Sequence, residues 1–274
     1  MKTFFSELQK ILLFLKKDIR LELSYKLSFM LRVLSIGLFC LVFFFLARML
    51  GESQIKTLEK YNGDYFAFAL IGMAFYSFFT VLLNSFSSRL REEQLTGTLE
   101  AIFTAPVRVP TFLAGISILS LARGFISVAI FFGVGIFVLK AGVAMSDLPV
   151  FCVTLLLCTV NFLSIGIIAS SFILVFKRGN PVNWFLETVF LLAGGVIYPV
   201  SVLPGWIQKI SNVLPMTYAL QALRATLIPG ADTAGTGHEI TKLLAGAVIL
   251  LPIAIIMFWS AMNIVKKRGT LAHY

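Results

Sequence analysis

Six long apolar runs constrain this chain more than any other feature. They cover Leu31–Ala47, Tyr65–Phe86, Phe112–Leu139, Leu148–Phe176, Val182–Val202 and Leu243–Val265. A helix needs about 20 mostly apolar residues to cross a bilayer core. Apolar residues packed into runs, rather than spaced at 2.0 or 3.6, are the pattern of a membrane span. In lipid, every backbone N–H and C=O must find its partner inside the protein. The expected fold is all-α, a polytopic membrane protein with six transmembrane helices. No long polar linker divides the chain, so residues 1–274 are expected to form a single domain. The third and fourth runs exceed a bilayer thickness and should tilt or reach past the membrane surface.

Composition agrees. Charged residues make up 13% of the chain, against about 25% in soluble domains. The net charge of +10 does not indicate nucleic acid, because the basic residues lie in short segments between apolar runs. Fifteen Lys and Arg residues fall in the N-terminal arm, the second and fourth connections and the C-terminus. Seven fall on the other side: Arg48, Lys56, Lys60, Lys140, Lys209, Arg224 and Lys242. This asymmetry places both termini in the cytoplasm, and a prokaryotic inner membrane is the expected location. The N-terminus does not read as a cleavable signal peptide, since its first apolar run is too long and too late. Cys40, Cys152 and Cys158 all sit in apolar runs, without disulfide or metal spacing. His238 and His273 are isolated, and no metal site is expected.

Ahead of the first run, Phe4, Leu8, Ile11, Leu12, Leu15 and Ile19 recur at helical spacing, with lysines on other faces. Residues 1–28 therefore read as an amphipathic helix lying in the cytoplasmic interface against membrane lipid. The stretch 199–228 reads differently. Pro199, Pro204-Gly205 and Pro215 divide it into apolar pieces too short to span, and proline is expected to end each helix. Two short helices that dip into the outer leaflet and return fit this pattern, followed by a Gly-rich exposed loop over 229–238. Tyr198, Trp206 and Tyr218 border the hairpin. An aromatic belt accounts for them; a gate or sugar-stacking platform is the sharper reading.

The segment 91–108, REEQLTGTLEAIFTAPVR, stands apart. It carries five charges, three of them carboxylates, between two greasy flanks. On a helical wheel Leu95, Leu99, Ile102 and Phe103 share one side, and Glu93, Thr96, Gly97, Glu100 and Thr104 the other. Glu93 and Glu100 are seven residues apart and project together. Pro106 closes the segment. The anionic inner leaflet would favour Lys and Arg in a membrane anchor. An acidic face turned away from lipid suggests a protein partner with a basic groove.

Glu93-Gln-Leu-Thr-Gly-Thr-Leu-Glu100, followed by Ala105-Pro106, resembles the cytoplasmic coupling helix of ABC-2 type transporter permeases. The order of elements is similar to that family too: amphipathic N-terminal helix, six spans, a coupling element over 91–105, and a broken hairpin carrying Leu203-Pro-Gly-Trp206 and Leu214-Pro-Met-Thr-Tyr-Ala-Leu-Gln-Ala-Leu-Arg224. The resemblance covers essentially the whole chain. It implies a permease subunit that pairs with a second copy, as a homodimer, and with two copies of a separate ATPase subunit. Glu93, Gly97, Thr98, Leu99, Glu100 and Pro106 would couple to that ATPase. Tyr198, Pro204, Gly205, Trp206, Pro215 and Tyr218 would border the outer gate. The chain contains no Gly-x-x-x-x-Gly-Lys-[Ser/Thr] phosphate loop. ATP and Mg are therefore expected on the partner, with no cofactor bound here, and the chain is not expected to be an enzyme.

Two charges lie within runs. Arg123 is about twelve residues into the third, near the bilayer centre at about 1.5 Å per residue, and Glu187 lies in the fifth. A central charge costs at least ~2.5 kcal/mol, so both should face protein or water. They pair with each other, or each meets a lipid headgroup or another partner. A secondary transporter or channel would need midplane ion sites or an inverted repeat, and neither is visible beyond these two residues. An intramembrane enzyme would need a Ser/His, paired-Asp or His-rich constellation. The expected cargo is an amphipathic drug- or lipid-like molecule, with a polysaccharide or lipid-linked glycan as the alternative.

Overall fold

A computed structural model describes residues 26–50, 58, 61, 64–95, 109–176, 181–231, 233 and 235–267. The interfacial helix expected over 1–28 lies almost wholly outside this set. So does the acidic segment beyond Leu95.

The described residues are helical, with no strand among them. The helices are α1 (Lys26–Leu50), α2 (Tyr65–Leu95), α3 (Val109–Phe132), α4 (Leu148–Phe176), α5 (Pro181–Ala193), α6 (Gly205–Ser211), α7 (Pro215–Leu227) and α8 (Thr236–Lys267). Helix α3 continues as a π-helical turn over Gly133–Val138, and a 3-10 turn covers Val200–Val202. Among the described residues, five helices are long and apolar enough to cross a membrane. They are α1, α2, α3 with its π turn, α4 and α8.

The fifth apolar run departs from expectation. It does not form one helix over 182–202. Helix α5 stops at Ala193 after 13 residues, about 20 Å. Gly194 and Gly195 then turn the chain, and Gly195 takes a φ of +72° that side-chain-bearing residues rarely adopt. The prolines also act differently from expectation. Pro181 and Pro215 begin α5 and α7, and Pro204 is the N-cap of α6. Proline has no N–H to leave unpaired in a first turn, so it opens helices there as readily as it ends them. The Gly-rich loop is shorter than 229–238, because α8 already starts at Thr236.

Helix α2 is the centre of the bundle. Its first half is apolar on nearly every face, the signature of a buried helix. Phe68, Phe75, Phe78, Phe79, Leu82, Leu83 and Phe86 are fully enclosed. Phe79 stacks on Phe190 of α5 at 4.3 Å and meets Phe162 of α4 edge-on at 5.1 Å. Helices α3 and α4 flank α2, and α4 shares its longest interface with α8. Lipid tails are as apolar as these side chains, so close packing and polar satisfaction hold such a bundle. Gly166 of α4 shows the packing term: a Cβ there would sit 2.7 Å from the Leu82 carbonyl oxygen. Asn161 shows the polar one. Its Nδ2 donates to the Leu243 carbonyl of α8 at 2.9 Å. Helix α1 lies on the periphery and exposes Leu34, Leu38, Phe45 and Met49.

Candidate functional site

The two short helices expected between spans are present, with seven and 13 residues. Helix α7 is enclosed by protein over most of its length, the condition under which a broken helix is tolerated at membrane depth. Its last carbonyls would otherwise be orphans. Ser146 donates from both backbone and side chain to the Thr226 oxygen, and the Ala144 N–H donates to that of Leu227.

Arg224 organises this region. It was counted above among the seven basic residues of the side opposite the termini, and it is 2% exposed. Its Nε and Nη2 donate to the Phe68 carbonyl at 3.2 and 3.0 Å. Nη1 donates to Gly195 O at 2.8 Å and Nη2 to Val196 O at 2.9 Å. The guanidinium also lies 3.4 Å from the Phe68 ring centroid. One side chain of α7 thereby satisfies the turn after α5 and the first turns of α2. All its acceptors are backbone carbonyls, and a guanidinium does not deprotonate in proteins. A cavity of about 180 Å³ adjoins it, lined in part by Tyr61, Ser201, Thr217 and Gln221.

The aromatic residues bracket the break. The Tyr198 hydroxyl donates to Leu192 O near the end of α5 at 2.8 Å. The Tyr218 hydroxyl donates to Asn212 O, just past α6, at 2.7 Å. Both cap carbonyls that the helix ends leave open. Trp206, beside Gly205 at the start of α6, is 68% exposed.

The intramembrane charges have separate surroundings. Asn84 of α2 donates from Nδ2 to Glu187 Oε1. Arg123 lines a different, small cavity with Ser85, Ser88, Arg89 and Ser120. The structure thus gives Glu187 a partner other than Arg123. The residues missed by the sequence reading are Asn84 and Asn183. Asn183 and Glu187 stand four apart on α5, the spacing that places two side chains on one face, and that spacing was the available signal. Glu93 falls in the last turns of α2, with its side chain outside the described residues. Gly97, Thr98, Leu99, Glu100 and Pro106 lie wholly outside them.

Comparison with known proteins places this architecture. The chain is 22% identical over 210 residues to ABC transporter G family member 20 of Dictyostelium discoideum, a match covering 77% of this chain. It spans 28% of that relative's length. The family model described as ABC-2 type transporter matches residues 9–228, from the N-terminal arm through α7. Taken with the apolar helices, this makes the chain an integral membrane protein, and it belongs to the ABC-2 type transporter family.

Proposed function

We propose that this chain is the transmembrane permease subunit of an ATP-driven exporter. It works as a homodimer with two copies of a separate ATPase subunit, which binds ATP and Mg. It lies in a prokaryotic inner membrane with both termini in the cytoplasm. The single observation that carries the reading is the family match over residues 9–228, which takes in both the acidic segment and the broken α5–α7 region. Glu93, Gly97, Thr98, Leu99, Glu100 and Pro106 form the coupling surface for the ATPase. Helices α6 and α7 form the outer re-entrant hairpin, and Tyr198, Pro204, Gly205, Trp206, Pro215 and Tyr218 border the outer gate.

The cargo is an amphipathic drug- or lipid-like molecule. The mostly apolar interior, with few fixed charges, favours a greasy ligand over a fully hydroxylated one. Exposed Trp206 keeps a lipid-linked glycan as the second reading, since indole faces stack on sugars.

The test is co-expression with a candidate ATPase subunit, followed by reconstitution into vesicles. The expected result is a stable complex that moves an amphipathic cargo only when ATP is supplied. Transport by the isolated chain without an ATPase overturns the reading. ATP-driven movement of a glycan alone selects the second cargo class.

A further inference from the structure

Between α2 and α5 lies a cluster of polar side chains whose hydrogen bonds fix one another's orientation. Asn84 Nδ2 donates to the Thr80 carbonyl at 2.9 Å and to Glu187 Oε1. A backbone carbonyl can only accept, so the amide of Asn84 has one orientation, with Oδ1 turned toward α5. Asn183 answers with its Nδ2, which donates to Asn84 Oδ1 at 2.8 Å and to Ser87 Oγ at 3.1 Å. The orientation of Asn183 is therefore fixed as well, and its own Oδ1 is left over. That oxygen is buried and has no hydrogen-bond partner, on a residue only 2% exposed.

The same residues line a cavity of about 340 Å³, together with Pro181 and Trp184. Glu187 brings a carboxyl group with acceptor capacity beyond the bond from Asn84. Trp184, 67% exposed, brings an indole face, which attracts cations through its quadrupole. A hard metal cation needs about six to eight oxygens, more than the cavity offers. A positively charged nitrogen with N–H donors suits both the carboxyl group and the indole face.

We propose that this cavity is a subsite for the ammonium group of an amphipathic amine. The inference deepens the transport role above and rests on it: the cargo class becomes organic cations that carry a protonated, N–H-bearing nitrogen on an apolar body. Glu187 supplies the counter-charge and Trp184 the ring face. Asn84, itself held by Asn183, is a positioning residue that fixes the Glu187 carboxyl.

The test uses the full chain, purified with its companion ATPase and held in phosphatidylcholine nanodiscs. The probes are dansylcadaverine, a fluorescent aliphatic primary amine, and its N-acetyl derivative, which is neutral and nearly the same size. The wild type is expected to bind the amine at least about tenfold more tightly than the acetylated form, the scale of a charge-assisted hydrogen bond. Glu187→Gln should abolish that preference, with a monodisperse elution profile reporting an intact fold. Trp184→Ala alters an exposed position and should weaken amine binding several-fold. Equal affinity for the two probes in the wild type overturns the proposal. So does an undiminished preference in Glu187→Gln, or, should that variant not fold, in Trp184→Ala. Co-purification of the ATPase, read on the same samples, judges the transport reading separately from the amine subsite.

Discussion

The Arg224 guanidinium covers the Phe68 ring at 3.4 Å while two of its nitrogens donate to the Phe68 backbone carbonyl. A single residue of α2 is thus held at both its side chain and its main chain by one residue of α7. Removing the arginine leaves the carbonyls of Phe68, Gly195 and Val196 without these donors. Each unsatisfied buried acceptor costs about 1–3 kcal/mol. Arg224→Met is expected to destabilise the chain by about 3 kcal/mol or more, read as unfolding in detergent. Arg224→Lys should recover only part, because an ammonium lacks the planar fork. Wild-type stability in Arg224→Met contradicts this.

Gly72 lies beneath the same contact. A Cβ there would fall 2.0 Å from Val196 O and 2.6 Å from Arg224 Nη2. The first is backbone and cannot swing away. Gly72→Ala should therefore lower the unfolding temperature nearly as much as removing Arg224. Gly37→Ala on α1, where nothing lies within 4 Å, should leave it unchanged. Similar effects at both glycines would show that helix propensity, and not contact, governs the response.

Helices α4 and α8 offer a coupled pair. A Cβ on Gly246 would stand 2.6 Å from Asn161 Oδ1. Gly246→Ala should destabilise the wild type yet be tolerated in an Asn161→Ala background, which removes the obstructing oxygen. A double-mutant cycle should give a coupling of about 1 kcal/mol or more, as for residues in direct contact. Additive effects would contradict the placement of Asn161.

The acidic segment is tested by charge. Glu93→Lys combined with Glu100→Lys should release the ATPase subunit during purification while the chain itself stays monodisperse. High salt should weaken the wild-type complex in the same direction, since exposed charge contacts are screened. Retention of the ATPase by the doubly reversed variant would remove these carboxylates from the coupling surface.

Much of the architecture can be read from hydropathy because lipid imposes one rule on every span. The runs at Tyr65–Phe86 and Leu148–Phe176 sit within helices that begin at Tyr65 and Leu148. The fifth run failed for a physical reason. Gly194-Gly195-Val196-Ile197 is as apolar as its neighbours, so hydropathy passes through a turn that only backbone freedom reveals. Arg224 misled for the opposite reason. Its charge suggested a surface, whereas four hydrogen bonds to carbonyls make burial acceptable. That satisfaction comes from Phe68 and Gly195, 156 and 29 residues away, and no local window contains it. The Asn183–Glu187 spacing was legible, but Asn84, the residue that joins it to α2, was not.

Helix α2 runs without interruption from Tyr65 to Leu95. Phe68, in its first turn, is where Arg224 takes hold, and its last turn leads into the acidic segment. The 27 steps between Phe68 and Leu95 measure about 40 Å at 1.5 Å per residue. No proline, and no lapse into 3-10 or π geometry, breaks that length. Such a rod does not telescope. A displacement at its acidic tip would pass the Asn84 and Ser87 contacts with α5 before it reached the grip of α7 on Phe68.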